Sequence, residues 1–407
     1  MDTLLLITRL AWRNLWRHRR RTALILVAMS LGIWSMIVLA AISRGSIEQQ
    51  VNKGIANLTG HVQVHARGYR DDPVIDHRFV PPPALVEALR ASPVSAWSTR
   101  VRVPAVIASE RESAGVTLVG IDPAAELKLS FISGAIVEGR GLGDVGDDGL
   151  LLGRKLAERL ETGLGRRVVI LSQDVNNRIA ERGFRVVGIF AGQPTAMETG
   201  YVFVGRAPAQ RLLRMQDSVS ELAVITPDRK HLDALVQRMR AAAPGLAVEP
   251  WTTIEPLLVL TESLTEVILV IWYAIVFAAM SFGLVNTLLM AVYERTREFG
   301  LVQSLGMRPG RIMGQVFIES LFLLLLALGL GNLLTAATLF ALRDGLDLSA
   351  FAEGFDMIGV SPIIIPSLTL GDVASANGLV LALGLLASLW PVWRAARHVP
   401  VEAMTRI

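Results

Sequence analysis

Glu294, Arg295, Arg297 and Glu298 fall within five positions of one another, between an apolar run that stops at Val292 and another that resumes at Ile312. Carboxylates and guanidiniums at this spacing can form ion pairs, hold a loop on one side of a bilayer, or meet another protein. Two readings are open: a loop that only sets topology, or a short helix that makes a contact. Arg295, Arg297, Arg308 and Arg311 would set topology without any glutamate. The two acids therefore favour the contact.

Other residues that could carry chemistry are sparse. No G-x-x-x-x-G-K-[ST] loop is present, and GLGRR at 163–167 lacks the Lys–Ser/Thr pair that holds phosphate and Mg²⁺. His61 and His65 are four apart on an expected strand, and His77 lies near Asp71, Asp72 and Asp76. Polar strand and loop roles account for them better than a metal. GRGLGDVGDDG at 139–149 lacks the ligand spacing and closing Glu of an EF-hand, so turn chemistry explains it. Neither G-x-S-x-G nor H-E-x-x-H occurs, and no catalytic, cofactor-binding or metal-ligating residue is expected. The chain has no Cys, which excludes disulfides and thiolate-bound metal. Glu319 is the one acid in the third apolar run. An ion pair at the membrane edge, reached by Arg311 or by water, accounts for it; a proton path would need further such residues.

The composition says which elements must hold these residues. Of 407 residues, 52% are hydrophobic and 19% charged, and the apolar residues concentrate in four blocks. Thr22 to Ser43 is free of charge and long enough to cross a hydrocarbon core about 30 Å thick. Val267 to Val292, Ile312 to Leu342 and Ala376 to Trp393 are the others. Arginines precede the first and third blocks and follow the second and fourth. The positive-inside rule then puts both termini and the 293–311 loop inside, with 45–260 and 343–375 outside. The outer loop agrees, setting Asp344, Asp347, Glu353, Asp356 and Asp372 against Arg343. The lead RLAWRNLWRHRRR and the length of the first block argue against a cleaved signal peptide. Leu5 to Trp16 is expected as a short amphipathic helix on the inner membrane surface. Arginines grouped beside spans point to topology and not to nucleic acid.

Between the first two blocks, short Val- and Ile-rich runs such as TRVRVPAVIAS, GVTLVGID, RRVVILSQ and YVFVG read as strands. PPALVEALRAS, GRKLAERLET, PAQRLLRMQD and KHLDALVQRMRAAAP read as helices. The fold class expected is an α-helical membrane protein with four transmembrane helices plus a large extracytoplasmic α+β domain of two lobes. The portion 115–205 would form one lobe and the flanking portions the other. TTIEPLLVLTESLTEVI places Ile254, Leu257, Leu258 and Leu264 on one helical face, and no Pro or Gly interrupts the chain from Leu257 to Phe282. A stalk helix running from the domain into the second span is expected. The division is then an N-terminal segment 1–21, span 22–44, domain 45–255, stalk and span 256–292, inner loop 293–311, span 312–342, outer loop 343–375, span 376–393 and tail 394–407.

Asn286, the run Glu294 to Gly300 (ERTREFG), the run Ser304 to Met307 (SLGM) and the ending PVWRAARHVPVEAMTRI resemble the signature of the FtsX-like/MacB-type ABC transporter permeases. VGIDPAAE, GLLLGRKLAERL and FRVVGIFAGQ resemble the lipoprotein-releasing branch, the permeases LolC and LolE, in particular. The resemblance implies a permease dimer, made with a second copy or a paralogue, on a bacterial inner membrane. It implies a separate cytoplasmic ABC ATPase dimer holding ATP and Mg²⁺, no cofactor on this chain, and a periplasmic carrier or adaptor as a further partner. It also gives the charged island a role, that of a coupling helix over about 297–305. Phe299 and Leu301 would be available to an ATPase pocket, and Glu294, Arg295 and Glu298 would fix the helix angle through ion pairs. Gly300 would allow close approach. Arg297, Ser304, Leu305 and Gly306 are also expected among the ATPase-coupling residues, and Gly306 with Pro309 would stop the helix before the third span. The expected function is mechanotransmission for lipoprotein release. MacB-like efflux of peptides or small amphiphiles, and an FtsX-like scaffold that moves no substrate, are the alternatives.

Overall fold

A computed structural model describes residues 2–192, 195–227, 229–351 and 363–396. The chain opens with α1 (Asp2–Leu15), α2 (Arg19–Gly54), β1 (Val62–Ala66), α3 (Pro83–Arg90), β2 (Ala96–Ala108) and β3 (Ser113–Ile121). It continues through α4 (Pro123–Glu126), β4 (Ile136–Gly139), β5 (Gly149–Gly153), α5 (Arg154–Arg159), β6 (Arg167–Gln173), β7 (Ile179–Phe190), α6 (Thr195–Gly200) and β8 (Tyr201–Gly205). Then come α7 (Arg206–Leu213), β9 (Glu221–Ile225), α8 (Leu232–Ala242), β10 (Leu246–Pro250) and α9 (Trp251–Ile254). The last part holds α10 (Pro256–Glu294), α11 (Thr296–Ser304), α12 (Pro309–Ala341), the short pair β11 (Leu346–Asp347) and β12 (Ile363–Ile364), and α13 (Leu370–Ala396). Glu353, Asp356 and the tail motif beyond Ala396 lie outside the described residues.

Two compact units divide the chain: a helical one (Met1–Glu48, Glu262–Asp347, Ile363–Ile407) and an α+β one (Gln49–Thr261, Leu348–Pro362). In the helical unit, α2, α10, α12 and α13 are long and apolar enough to cross a membrane. Met29, Ile33, Met36 and Ile37 recur on one face of α2 and pack with Leu284 and Leu288, with Leu323, Leu324, Ala327 and Leu328, and with Val380. Small and polar groups bring the helices close, as expected where grease alone gives no preference. A Cβ on Gly331 would lie 2.8 Å from Ile33 Cγ2, and Ser30 Oγ donates to the Ala327 carbonyl at 3.3 Å. Asn332 and Asn377 exchange amide hydrogen bonds at 2.9 and 3.1 Å between α12 and α13.

In the α+β unit, β2–β3–β8–β5–β7–β6 pair in that order, and β6 pairs back to β2, closing a six-stranded ring. Alternate residues fill it: Val101, Val103, Ala105 and Ile107 from β2, Leu150 and Leu152 from β5, Val168 and Ile170 from β6, Val202 and Val204 from β8. The first five residues of β2 pair instead with β9, and β9–β1–β10 extend the sheet from there. The 115–205 portion accordingly lies in the barrel, but the barrel also takes the second half of β2. Strands β4, β5 and β10 were absent from the sequence expectation; β5 is GLLLG, whose leucines lack the β-branched signature.

The stalk expectation needs correction at its start. Ile254 ends α9, Glu255 breaks the helix at φ −114°, ψ 66°, and α10 begins at Pro256. The Pro ring fixes φ for a first helical turn but supplies no N–H to continue an earlier one. Leu258 packs on Gly54, where a Cβ would meet Leu258 Cδ1 at 2.6 Å, whereas Leu257 and Leu264 stay exposed. The expected face of Ile254, Leu257, Leu258 and Leu264 is therefore split.

Candidate functional site

Between α10 and α12 the chain makes a helix–turn–helix step. Arg295 interrupts α10 at φ −106°, ψ 9°, its N–H bonding to the Val292 carbonyl at 3.2 Å, and α11 follows. The far end of α11 is stopped by Gly306 at φ +93°, a conformation open to glycine at little cost, whose N–H reaches the Gln303 carbonyl at 2.9 Å. Ser304 Oγ donates to the Leu301 carbonyl at 2.7 Å. Arg308 is extended ahead of Pro309, as the ring of a following proline requires, and Pro309 opens α12.

Ion pairs hold this step, and their partners come from the turn between α1 and α2 and from the start of α2. Arg17 Nη1 donates to Glu298 Oε1 at 2.9 Å. Glu294 receives Arg21 Nη1 at 3.4 Å and has His18 Nε2 3.5 Å away. Arg21 Nη2 also donates to the Thr287 carbonyl at 2.6 Å, which anchors it on α10. These exposed pairs contribute little each, on the order of 0–1 kcal/mol, so they set geometry more than stability. One pair is buried: Arg295 Nη1 donates to Glu319 Oε1 at 2.8 Å, with both side chains 7% exposed. Asn14 completes it, its Nδ2 donating to Glu319 at 3.0 Å and its carbonyl accepting from Arg295 Nη2 at 3.2 Å. Glu319 is thus paired by Arg295 and not by Arg311, because Arg295 sits at the turn that faces it.

The inner and outer faces of α11 differ from the expectation in one respect. Phe299 is 6% exposed and packs among Val292, Ile312, Val316 and Val392, so it is part of the core and not open to a partner. Among the described side chains, the outward apolar ones are Leu301 at 58% and Leu305, at the helix end, at 80% exposure. Arg297 is exposed and Gly300 buried on the inner face. Sequence reasoning missed Asn14, Arg17, His18 and Arg21 as members of the site. For Arg17, His18 and Arg21 the signal is the basic charge of the N-terminal segment, complementary to Glu294 and Glu298, although the same charge also reads as a topology and membrane-surface signal.

His65 lies within β1 and His61 just ahead of it, where His61 Nδ1 accepts from the Thr226 N–H at 3.3 Å; burial pushes the pKa of both below the ordinary histidine value. His77 Nδ1 donates to the Asp72 carbonyl at 2.8 Å.

The family model for the MacB-like periplasmic core domain matches residues 22–242, and that for the FtsX-like permease C-terminal region matches residues 270–400. The lipoprotein-releasing system transmembrane protein LolC of Neisseria meningitidis serogroup B is 24% identical over 402 residues, covering 94% of this chain and 93% of that protein. The macrolide export ATP-binding/permease protein MacB of Chlorobaculum tepidum is 29% identical over 242 residues, covering 56% of this chain and 34% of that protein. Among solved structures, the periplasmic region of MacB from Actinobacillus actinomycetemcomitans aligns with a TM-score of 0.35 at 14% identity, over 50% of this chain and 93% of that one. The chain belongs to the FtsX-like, MacB-type ABC transporter permeases.

Proposed function

We propose that this permease passes the motion of a separate cytoplasmic ABC ATPase dimer, which holds ATP and Mg²⁺, into its α+β unit to release lipoproteins from a bacterial inner membrane. The observation that carries the reading is α11: a short helix whose outward face offers Leu301 and Leu305, while ion pairs through Glu294, Arg295 and Glu298 fix its angle. In this reading both termini and the 293–311 turn are cytoplasmic, and the α+β unit is periplasmic, its barrel and its β9–β1–β10 extension acting as two lobes. A second copy or a paralogue completes the permease, Leu257 and Leu264 belong to the stalk, and a periplasmic carrier or adaptor receives the substrate. Lipoprotein release is favoured by the near full-length match to a LolC. MacB-like efflux is favoured by the higher identity, over a shorter stretch, to a MacB.

Depletion of the chain in its native cell decides between them. The release reading expects lipoproteins to accumulate in the inner membrane, measured by separating inner and outer membranes on a density gradient. Normal sorting after full depletion would exclude it.

A further inference from the structure

The turn that leaves α2 holds a strained residue against a buried charge cluster. In the π-helical turn Ile55–Thr59, Leu58 stands at φ 73°, ψ −11°, the left-handed region that a side chain disfavours. Its side chain is 2% exposed, packed with Val119, Phe190 and Phe203, and two donors converge on its carbonyl: Arg100 Nη1 at 2.5 Å and Gln63 Nε2 at 3.2 Å.

Arg100 is itself fully buried. Its Nε and Nη2 donate to the two oxygens of Glu126 at 2.7 and 2.9 Å, and Nη1 also donates to Glu221 Oε1 at 3.0 Å. Glu221 Oε2 faces Arg102 Nη1 at 3.5 Å. Burial would lower the pKa of Arg100, but the two glutamates outweigh it and raise the group above the ordinary arginine value. Burial likewise opposes ionisation of Glu126, yet Arg100 holds its carboxyl below the usual range. Arg100 and Glu126 are both charged at neutral pH.

Its place in the sheet is specific. Arg100 pairs with Glu221 of β9 as the last residue of that ladder, and Val101 begins the ladder with β3. Arg100 therefore stands at the seam between the barrel and the β9–β1–β10 extension. Stability alone does not require such a cluster, because apolar residues of similar volume often serve as well or better. A guanidinium fork supplies what they cannot, a fixed donor for one backbone carbonyl.

We propose that Arg100 is a positioning residue that locks the end of α2 to the seam of the sheet, so that movement of α2 enters both halves of the α+β unit together. This rests on the mechanical reading of the permease. Arg100→Lys keeps a positive charge for Glu126 and Glu221 but loses the fork. In the full chain in nanodiscs with its ATPase, this variant is expected to raise amide exchange at Gly60 and His61 at least tenfold. Those N–H groups bond to the Ile55 and Val224 carbonyls, and exchange in β5 and β8 should not change. ATP turnover that depends on lipoprotein substrate should fall at least fivefold. Should Arg100→Lys not fold, the combined change Arg100→Met, Glu126→Gln, which removes the fork together with the carboxylate it grips and leaves Glu221 paired to Arg102, is expected to give the same two results. Unchanged exchange at Gly60, or raised exchange with substrate-dependent turnover intact, overturns the proposal. Absence of substrate-dependent turnover in the unaltered chain would instead fault the mechanical reading, and the exchange comparison still decides the lock.

Discussion

Phe299 and Leu305 are six positions apart and do opposite things. The Phe299 ring fills a core made by Val292, Ile312, Val316 and Val392, residues of α10, α12 and α13, whereas Leu305 projects its side chain into the open. Phe299→Ala is expected to cost about 3 kcal/mol of stability through the cavity it leaves, seen as a lower unfolding temperature in detergent. Leu305→Asp is expected to leave that temperature within a degree or so, while ATPase turnover coupled to the permease falls about tenfold or more. A Leu305→Asp protein with full coupled turnover would remove the contact role. The sequence could not separate the two residues. Both are apolar in a short charged helix, and the atoms that bury Phe299 come from as far along the chain as Val392. Arg295 and Glu319 make the same point: their ionisable chemistry was legible, but the choice of Arg295 over Arg311 depends on how α10 ends.

Elements show where local sequence is sufficient. The four apolar helices follow from run length, and Gly306 and Pro309 punctuate α11 as their backbone preferences dictate. Ring closure through β6 and β2 was not legible, because strand pairing is set by partners distant in sequence and not by the Val and Ile content of either strand. The loop ahead of β5 did follow from turn chemistry. Asp147 accepts from Arg140 at 2.6 Å and from the Gly143 and Gly149 N–H groups at 2.8 Å. Arg140, with those two amides, holds the carboxyl down at about 2. Its native pKa lies below the unfolded value of about 3.9, so its stabilisation is complete above that pH and is lost as pH falls toward 2. Allowing for solvent screening, Asp147→Asn is expected to cost about 1 kcal/mol at pH 7. The gap to the unaltered chain should close between pH 4 and 2, measured by thermal unfolding across that range. A gap that persists unchanged at pH 2 would mean the carboxylate charge is not what organises the loop.

At the scale of the whole molecule, α11 is the proposed entry point for work and Arg100 the proposed lock for its delivery, while Arg17, in the turn after α1, and Arg21, at the start of α2, pair with Glu298 and Glu294. The family assignment was carried by the motifs of the island and tail, which are local in sequence. The bracing by Asn14, Arg17 and Arg21 was not, since it joins residues more than 260 positions apart. The absence of cysteine makes the central claim directly measurable, because single cysteines can be placed at 299, 301 and 305 in an otherwise thiol-free chain. With the native ATPase carrying one cysteine in turn around its permease-facing surface, a short bifunctional thiol reagent is expected to join the two chains from positions 301 and 305. Position 299, buried in the core, is expected to give no product. Failure of 301 and 305 to cross-link in complexes that still hydrolyse ATP, or equal cross-linking from 299, would contradict the account.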